Sequence, residues 1–336
     1  MQRKLKRSEL DSLAEFHSLD STKVETLLEL AGARPSRAEG LRFLGSCLRI
    51  AGLLSLAAGL VFFVAANWSS ITVFGRFALI ELVLVACAAL AFAKPPPHAA
   101  GRGAALLAFI ATGVLLALFG QTYQTGADVY ELFLNWALLG LPLAIAAQWG
   151  VASAAWILVL NVALVLFCGW HPAGGLLWAA LGGSHFQPTH LIMGATWLNL
   201  ALWFAFEFWR VDAVPDWTRR LMLSCAFGFG SWAGLMAVGG VDFDYGHERD
   251  PLTMLTLLAA MVAVSVYAVR RREDIYPLAV VMGTFIIVTL SWFAQLNGFH
   301  DEGMLLMLAV WLIATSTVAG RVLTVLNRRW RNGAES

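Results

Sequence analysis

Charged residues are scarce in this chain of 336 residues, at 13% of the sequence against 59% apolar residues. Water-soluble domains carry roughly a quarter charged residues and about half apolar residues. The composition therefore excludes a soluble globule and predicts a membrane protein. The formal net charge is only +1, which gives no reason to expect a nucleic-acid partner.

Cysteine pairs and catalytic motifs are also missing. Only four cysteines occur and none has C-x-x-C spacing, which argues against a disulfide framework and against a thiolate zinc site. Phosphate-binding glycine loops, HExxH and GxSxG are absent, so nothing in the sequence identifies an enzyme. The histidines are spread over several connections, and we expect no metal site and no cofactor.

Long apolar runs are what the sequence has in abundance. A helix rising 1.5 Å per residue needs about 20 residues to cross the hydrocarbon of a bilayer, and lipid leaves only helices with satisfied backbone groups. We therefore predict an all-α polytopic bundle with about ten transmembrane helices. The predicted spans lie near residues 46–66, 76–93, 103–120, 132–148, 150–169, 190–209, 220–239, 252–269, 275–296 and 303–320.

The basic residues fall almost entirely on one side of this topology. Of the 23 Lys and Arg residues, all except Arg76 and Arg249 lie in connections or at span ends on the same side as the N-terminus. Because cytoplasmic connections are enriched in Lys and Arg, both termini are predicted to be cytoplasmic. Residues 170–189 form an outer connection. The apolar middle of this connection is too short to cross the membrane but can re-enter it from the outer side.

Three regions follow from this topology. Residues 1–44 are predicted to form a short cytoplasmic helical region, amphipathic because Val24, Leu27, Leu28 and Ala31 recur on one helical face. Residues 45–320 are the transmembrane bundle, and residues 321–336 are a basic cytoplasmic tail. The first region can lie on the membrane surface or under the bundle, or can dock a partner.

The connection between spans 3 and 4 is polar and contains no Lys or Arg. It carries Gln121 and Tyr123, and the helix that follows places Asp128, Glu131 and Asn135 at i, i+3 and i+7, on one stripe. One interpretation is the wall of an outward-facing cavity. The other is a capping box, in which Asp128 and Glu131 bind backbone amides at the helix start.

Other polar and aromatic residues are candidates for the same region. Glu81 lies inside span 2, where a carboxylate is costly, and its partner is expected from another span. Trp68 and Trp136 are candidates either for shielding a site or for an interfacial aromatic belt. Gln295 belongs to residues 293–311, a stretch whose pattern is similar to that of residues 119–136. The similarity is explained either by chance or by a degenerate internal repeat.

Three stretches resemble a known family. They are LDSTKVETLLELAG, AANWSSITVFGRFALIE and FGQTYQTGADVYELFLNWALLGLPLAI, all within the first 150 residues. The family is the bacterial inner-membrane family catalogued as domain of unknown function 2157. The resemblance implies a multi-pass protein of the bacterial inner membrane and implies no reaction. It also suggests Asn67, Trp68, Gln121, Tyr123 and Trp136 as hallmark positions.

Three functions fit these features. The first is binding or transport of a small polar or cationic solute through an outward-facing site. The second is an envelope enzyme that acts on a lipid-linked substrate with outer carboxylates as acid or base, and the third is an assembly or scaffold protein with a membrane-protein partner. The lipid bilayer is a partner in all three. The candidate binding residues are Asn67, Trp68, Glu81, Gln121, Tyr123, Asp128, Glu131, Asn135, Trp136 and Gln295.

Overall fold

The secondary structure is helical throughout the described residues and contains no strand there. The fold is given by a computed structural model. It describes residues 15–30, 37–66, 70–123, 126, 128–169, 188–208, 215–238, 250–297 and 302–333. Asn67, Trp68 and nearly all of the segment 170–189 lie outside these residues.

The described part of the chain contains eleven α-helices, and a short π-helical segment, Ala268–Arg272, follows the ninth. The helices are α1 (Ser21–Leu30), α2 (Arg37–Ala66), α3 (Val73–Ala93), α4 (Ala99–Tyr123), α5 (Val129–Ala147), α6 (Gly150–Gly169), α7 (Pro188–Phe208), α8 (Asp216–Ala237), α9 (Pro251–Tyr267), α10 (Ile275–Asn297) and α11 (Glu302–Gly333).

Nine of these helices are long and apolar enough to cross a membrane, namely α2 to α7 and α9 to α11. The prediction of an all-α polytopic membrane protein is thereby confirmed. The remaining predicted span, residues 220–239, forms α8, which is long enough but less apolar. Arg219 and Arg220 in its first turns and several glycines and serines lower its mean hydropathy.

The chain divides into two compact units, Met1–Arg76 and Phe77–Ser336. In the first unit, α1 follows Asp20, whose carboxylate accepts a hydrogen bond from Thr22 Oγ1 at 2.9 Å. Helix α2 continues for 30 residues without a break. The region boundaries predicted at residues 44 and 320 both fall inside continuous helices, α2 and α11. No break in the helices marks these boundaries, so they stay predictions.

Helix α8 lies at the centre of the second unit, which explains its lower hydropathy. It packs against α6, α7, α9 and α10. Met222, Leu223 and Ala226 of α8 are completely buried by these neighbours. A helix surrounded by protein does not have to match the apolarity of lipid tails, and small residues allow close approach between helices.

Contacts between helix ends show how the helices of this unit alternate in direction. At one end, the amide of Asp250, before α9, donates to Ala237 O at the end of α8, at 3.1 Å. At the other end, Tyr267 at the end of α9 donates to Glu207 at the end of α7, with 3.3 Å between oxygens.

The same alternation includes α5 and α6. Thr218 Oγ1 donates to Gly150 O at 3.4 Å, which places the starts of α6 and α8 together. The rings of Tyr130 and Phe167 lie 5.2 Å apart and join the start of α5 to the end of α6. The starts of α5, α7 and α9 therefore share one end of the unit.

Helices α4 and α5 interlock through aromatic residues and glycines. Phe109 and Gly113 on α4, and Trp136 and Gly140 on α5, are each separated by four residues and so share a helical face. A Cβ atom on Gly113 would lie 2.4 Å from the Trp136 ring, and one on Gly140 would lie 2.5 Å from the Phe109 ring. Trp136 Nε1 also donates to Phe109 O at 2.8 Å. Each ring thus fills the space beside the partner helix's glycine.

Candidate functional site

A pocket of about 520 Å³ opens where α4 ends and α5 begins. We call the end of the unit that carries this pocket the pocket end. Four of the predicted binding residues, Gln121, Asp128, Glu131 and Asn135, lie on its wall. The full lining is Leu116, Ala117, Phe119, Gly120, Gln121, Gly126, Asp128, Val129, Glu131, Leu132 and Asn135.

The pocket follows from the short connection and the two helix faces beside it. Gly126 in the connection has φ of 67°, a left-handed conformation that favours glycine. From Gln121 on α4, the chain returns within a few residues to Asp128, the N-cap residue of α5. Glu131 and Asn135 follow at helical spacing, so both helices present polar side chains to the same space.

The pocket is acidic. Asp128 and Glu131 are both half-buried, and no Lys or Arg is among the lining residues that the structure describes. Asp128 occupies the N-cap position with extended backbone angles, but its side chain accepts no hydrogen bond from a described helix amide. The capping alternative therefore does not describe how the Asp128 carboxylate is used.

Glu131 is held from below by a buried tyrosine. Tyr130 is only 3% exposed, and its hydroxyl donates to Glu131 Oε1 at 3.3 Å. The ring of Tyr130 packs against Phe167, with 5.2 Å between the ring centres. No described residue donates to Glu131 Oε2. That oxygen and the Asp128 carboxylate are available to a ligand.

Amide and aromatic groups complete the rim. The side chains of Gln121 and Asn135 are exposed and offer both donors and acceptors. Tyr123 is 57% exposed and lies beside the lining, with its ring 4.8 Å from Phe119 and 6.1 Å from Phe77. The rim can therefore contact a polar or cationic solute on a ring face as well as through amides.

The structure places the other predicted site residues differently. Trp136 does not line the pocket, because its indole packs between α4 and α5 and its N–H is bound to Phe109 O. Glu81 is exposed on α3 and has no hydrogen bond to a described residue. Gln295 belongs to α10, which contributes nothing to the described lining, and its buried Nε2 has no partner among described residues. Asn67 and Trp68 lie outside the described residues.

A second polar cluster at the pocket end was not identified from the sequence. Asp250, 7% exposed, accepts hydrogen bonds at Oδ2 from Thr189 Oγ1 at 2.7 Å and from Thr253 Oγ1 at 2.6 Å. Its Oδ1 accepts from the amides of Leu252 and Thr253, both at 3.1 Å. His190 Nε2 lies 3.2 Å from Oδ2. We call this group the Asp250 cluster.

The Asp250 cluster is a structural cap and an interhelical tie. Burial raises the pKa of Asp250, but the hydrogen bonds from Thr253 and Thr189 and the nearby His190 outweigh burial and lower it. The carboxylate is thus held in its charged form, joining α7 to α9. No group of three or more His, Cys, Asp or Glu side chains suited to a metal ion occurs among the described residues.

The helical spans and the polar pocket define the class of this protein, a multi-pass membrane protein. Residues 11–153 match the model of the family described as predicted membrane protein (DUF2157), which confirms the resemblance over that range. The match covers α1 to α5 and includes the whole pocket. No curated protein and no solved structure matches the chain.

Proposed function

We propose that this protein binds a small cationic or polar solute in the pocket between α4 and α5, as a receptor or as the entry site of a transport path. The observation that carries the proposal is the placement of Asp128 and Glu131 in a pocket with no described basic residue. Each carboxylate keeps an oxygen that is not used in helix capping. Two acids in one pocket favour a cation over an anion, and the partly enclosed site strengthens each contact.

The orientation of the pocket is part of the proposal. The distribution of Lys and Arg supports a bacterial inner-membrane protein with both termini in the cytoplasm, so that the pocket faces outward. An outward-facing acidic pocket meets solutes before they cross the membrane. A lipid-linked substrate or a protein partner would also have to approach from that side.

The orientation is tested by labelling single cysteines in a chain whose four native cysteines are replaced. We expect single cysteines placed near Gly126 and near Asp244 to react in intact cells with a thiol reagent that does not cross membranes. Arg271→Cys should react only after the cells are permeabilised. Labelling of Arg271→Cys in intact cells would contradict the orientation and with it the outward-facing pocket.

Solute binding is tested with the full chain in lipid nanodiscs. Guanidinium, choline, spermidine and magnesium chlorides are added at matched ionic strength, and the melting temperature is followed by tryptophan fluorescence. We expect at least one cation to raise the melting temperature of the wild type. Glu131→Gln should weaken that binding about tenfold, because a hydrogen bond to a charged group contributes about 1.5–3 kcal/mol and the site is only partly buried.

The variants are chosen to separate charge from folding. Gln and Asn keep the shape of Glu131 and Asp128, so the melting temperatures without solute should match the wild type. Glu273→Gln is the matched control, because Glu273 is exposed and lies at the opposite end of the unit. The proposal fails if Glu131→Gln and Asp128→Asn respond to every cation as the wild type does.

A further inference from the structure

A second groove lies between α10 and α11, within the apolar part of both helices. Its volume is about 330 Å³, and Thr315 is the one hydroxyl-bearing residue of its described lining. Both helices are among those able to cross a membrane. The lining consists of Met282, Phe285, Ile286, Trp311, Ala314, Thr315, Val318, Ala319 and Val322.

Packing at one end of these two helices leaves the groove open at the other end. The rings of Phe293 and Trp311 stack at 5.5 Å with an interplanar angle of 4°. Trp311 Nε1 also donates to Thr289 Oγ1 at 3.4 Å. Beyond Trp311, the residues that α11 turns to the groove include Ala314 and Ala319, which are too small to fill the space next to Met282 and Phe285. The groove therefore extends from Trp311 towards Val322.

An arginine follows the groove lining on α11. Arg321 does not line the groove itself, but it lies three residues beyond Val318 and seven beyond Ala314, so it continues their side of the helix. Arg321 is exposed and makes no hydrogen bond or ion pair with a described residue. The Trp311 contact pairs α11 with α10 in opposite directions. Ten residues further along α11, about 15 Å, Arg321 therefore lies one to two turns inside the start of α10. That position is close to the expected edge of the hydrocarbon.

The surroundings of Arg321 leave it available to a ligand from the membrane. By contrast, Arg220 pairs with Asp274 at 3.5 Å and lies over the Tyr276 ring at 5.1 Å. Arg270 and Arg271 at the same end of the unit are exposed, as is Arg321. An uncompensated arginine at this depth is costly in lipid tails and is stabilised when an anionic group reaches it.

We propose that the groove between α10 and α11 binds an anionic phospholipid, with an acyl chain between the two helices and the phosphate on Arg321. The charge of Arg321 beside an apolar groove favours this occupant over an apolar partner helix. An apolar partner helix would fill the groove but would leave the cation uncompensated. The planar guanidinium matches a phosphate oxygen pair, and basic positions between spans are the general means of binding anionic headgroups.

The test uses the purified full chain in mild detergent, supplied with equal amounts of phosphatidylglycerol and phosphatidylcholine of identical acyl chains. Bound lipids are counted by native mass spectrometry. We expect the wild type to retain phosphatidylglycerol, and Arg321→Gln to lower the ratio of bound phosphatidylglycerol to phosphatidylcholine about fivefold. Arg321→Lys should keep most of the preference because it keeps the charge. Inorganic phosphate should not displace the lipid, whose acyl chain it lacks.

A second pair of variants tests the groove itself. Val318→Trp should reduce the binding of both lipids, because the indole ring would occupy the groove. Val310→Trp is the matched control, since Val310 is 60% exposed on the same helix and does not line the groove. The proposal is wrong if Arg321→Gln leaves the lipid ratio unchanged, if Val310→Trp reduces binding as much as Val318→Trp, or if phosphate alone displaces the lipid.

Discussion

Replacing Gly113 with alanine should separate α4 from α5 and strongly lower the stability of the protein. The added Cβ would lie 2.4 to 2.6 Å from three carbons of the Trp136 ring, closer than nonbonded carbon atoms approach. The ring cannot move aside easily, because its N–H is bound to Phe109 O and its faces pack on Phe109 and Phe133. Overpacking of this kind costs about 1–3 kcal/mol. The measurement is the melting temperature in detergent, with the monodisperse fraction as a second readout.

Gly120→Ala is the control for this prediction. Gly120 lies in the same helix, and a Cβ there would meet nothing within 4 Å. Alanine favours helix over glycine by about 1 kcal/mol, so this variant should be as stable as the wild type or more stable. Adding Trp136→Leu to Gly113→Ala should recover part of the loss by removing the ring. If Gly113→Ala and Gly120→Ala have the same melting temperature, the contacts between Gly113 and Trp136 do not stabilise the packing of α4 against α5.

The spans were predictable because they depend on length and apolarity alone. Where a helix is little buried by its neighbours, as α11 is, hydropathy identifies it. Helix α8 differs from the other spans. The predicted span is a helix, but this helix is less apolar than the others. Its neighbours are helices, so the sequence is selected for close packing and not for contact with lipid tails.

The pocket was predictable only in part. Helical spacing brings Asp128, Glu131 and Asn135 to one face, and the structure places all three on the pocket wall. The same spacing also describes a capping box, and the sequence cannot decide between the two. The choice depends on side-chain contacts in the fold, such as the hydrogen bond that the Tyr130 hydroxyl donates to Glu131.

The packing of Trp136 could not be predicted from the sequence without knowing which helix lies beside it. An aromatic belt and a shield over a site were both reasonable for a tryptophan near a span end, yet the ring packs against a glycine of the neighbouring helix. One pattern in the sequence does point to this packing. Phe109 precedes Gly113 by four residues, and Trp136 precedes Gly140 by four, so each helix offers one ring and one gap on the same face.

The Asp250 cluster escaped prediction because its members are distant along the chain. Thr189 and Asp250 are 61 residues apart, and only the packing of α7 against α9 brings them together. An Asp-Pro pair is a sign of a helix start, and Asp250 does cap α9 with Pro251 in the first turn. The residues next to Asp250 in the sequence give no sign of its hydrogen bond to Thr189 or of its contact with His190.

Replacing Asp250 with alanine should be more damaging than any substitution in the pocket. The change removes the acceptor for two hydroxyls, two amides and the nearby His190, all at a site where Asp250 is only 7% exposed. Breaking a buried charged network by removing one partner costs about 3–5 kcal/mol. We expect a large loss of correctly folded protein after purification. Asp250→Asn, which keeps one oxygen, should fall between alanine and the wild type.

The pH dependence of unfolding gives this prediction a second, independent readout. Because the folded protein lowers the pKa of Asp250, its contribution is complete above the unfolded value of about 3.9 and is lost as pH falls through the lower, folded value. The melting temperature of the wild type should therefore fall more steeply than that of Asp250→Asn below about pH 4. Asp216→Asn is the control, because the Asp216 side chain is 69% exposed, 3.2 Å from Arg219. Solvent screens an exposed carboxylate, so Asp216→Asn should keep most of the acid-dependent fall. An equally steep fall in Asp250→Asn would mean that another carboxylate, and not the tie between α7 and α9, limits stability in acid.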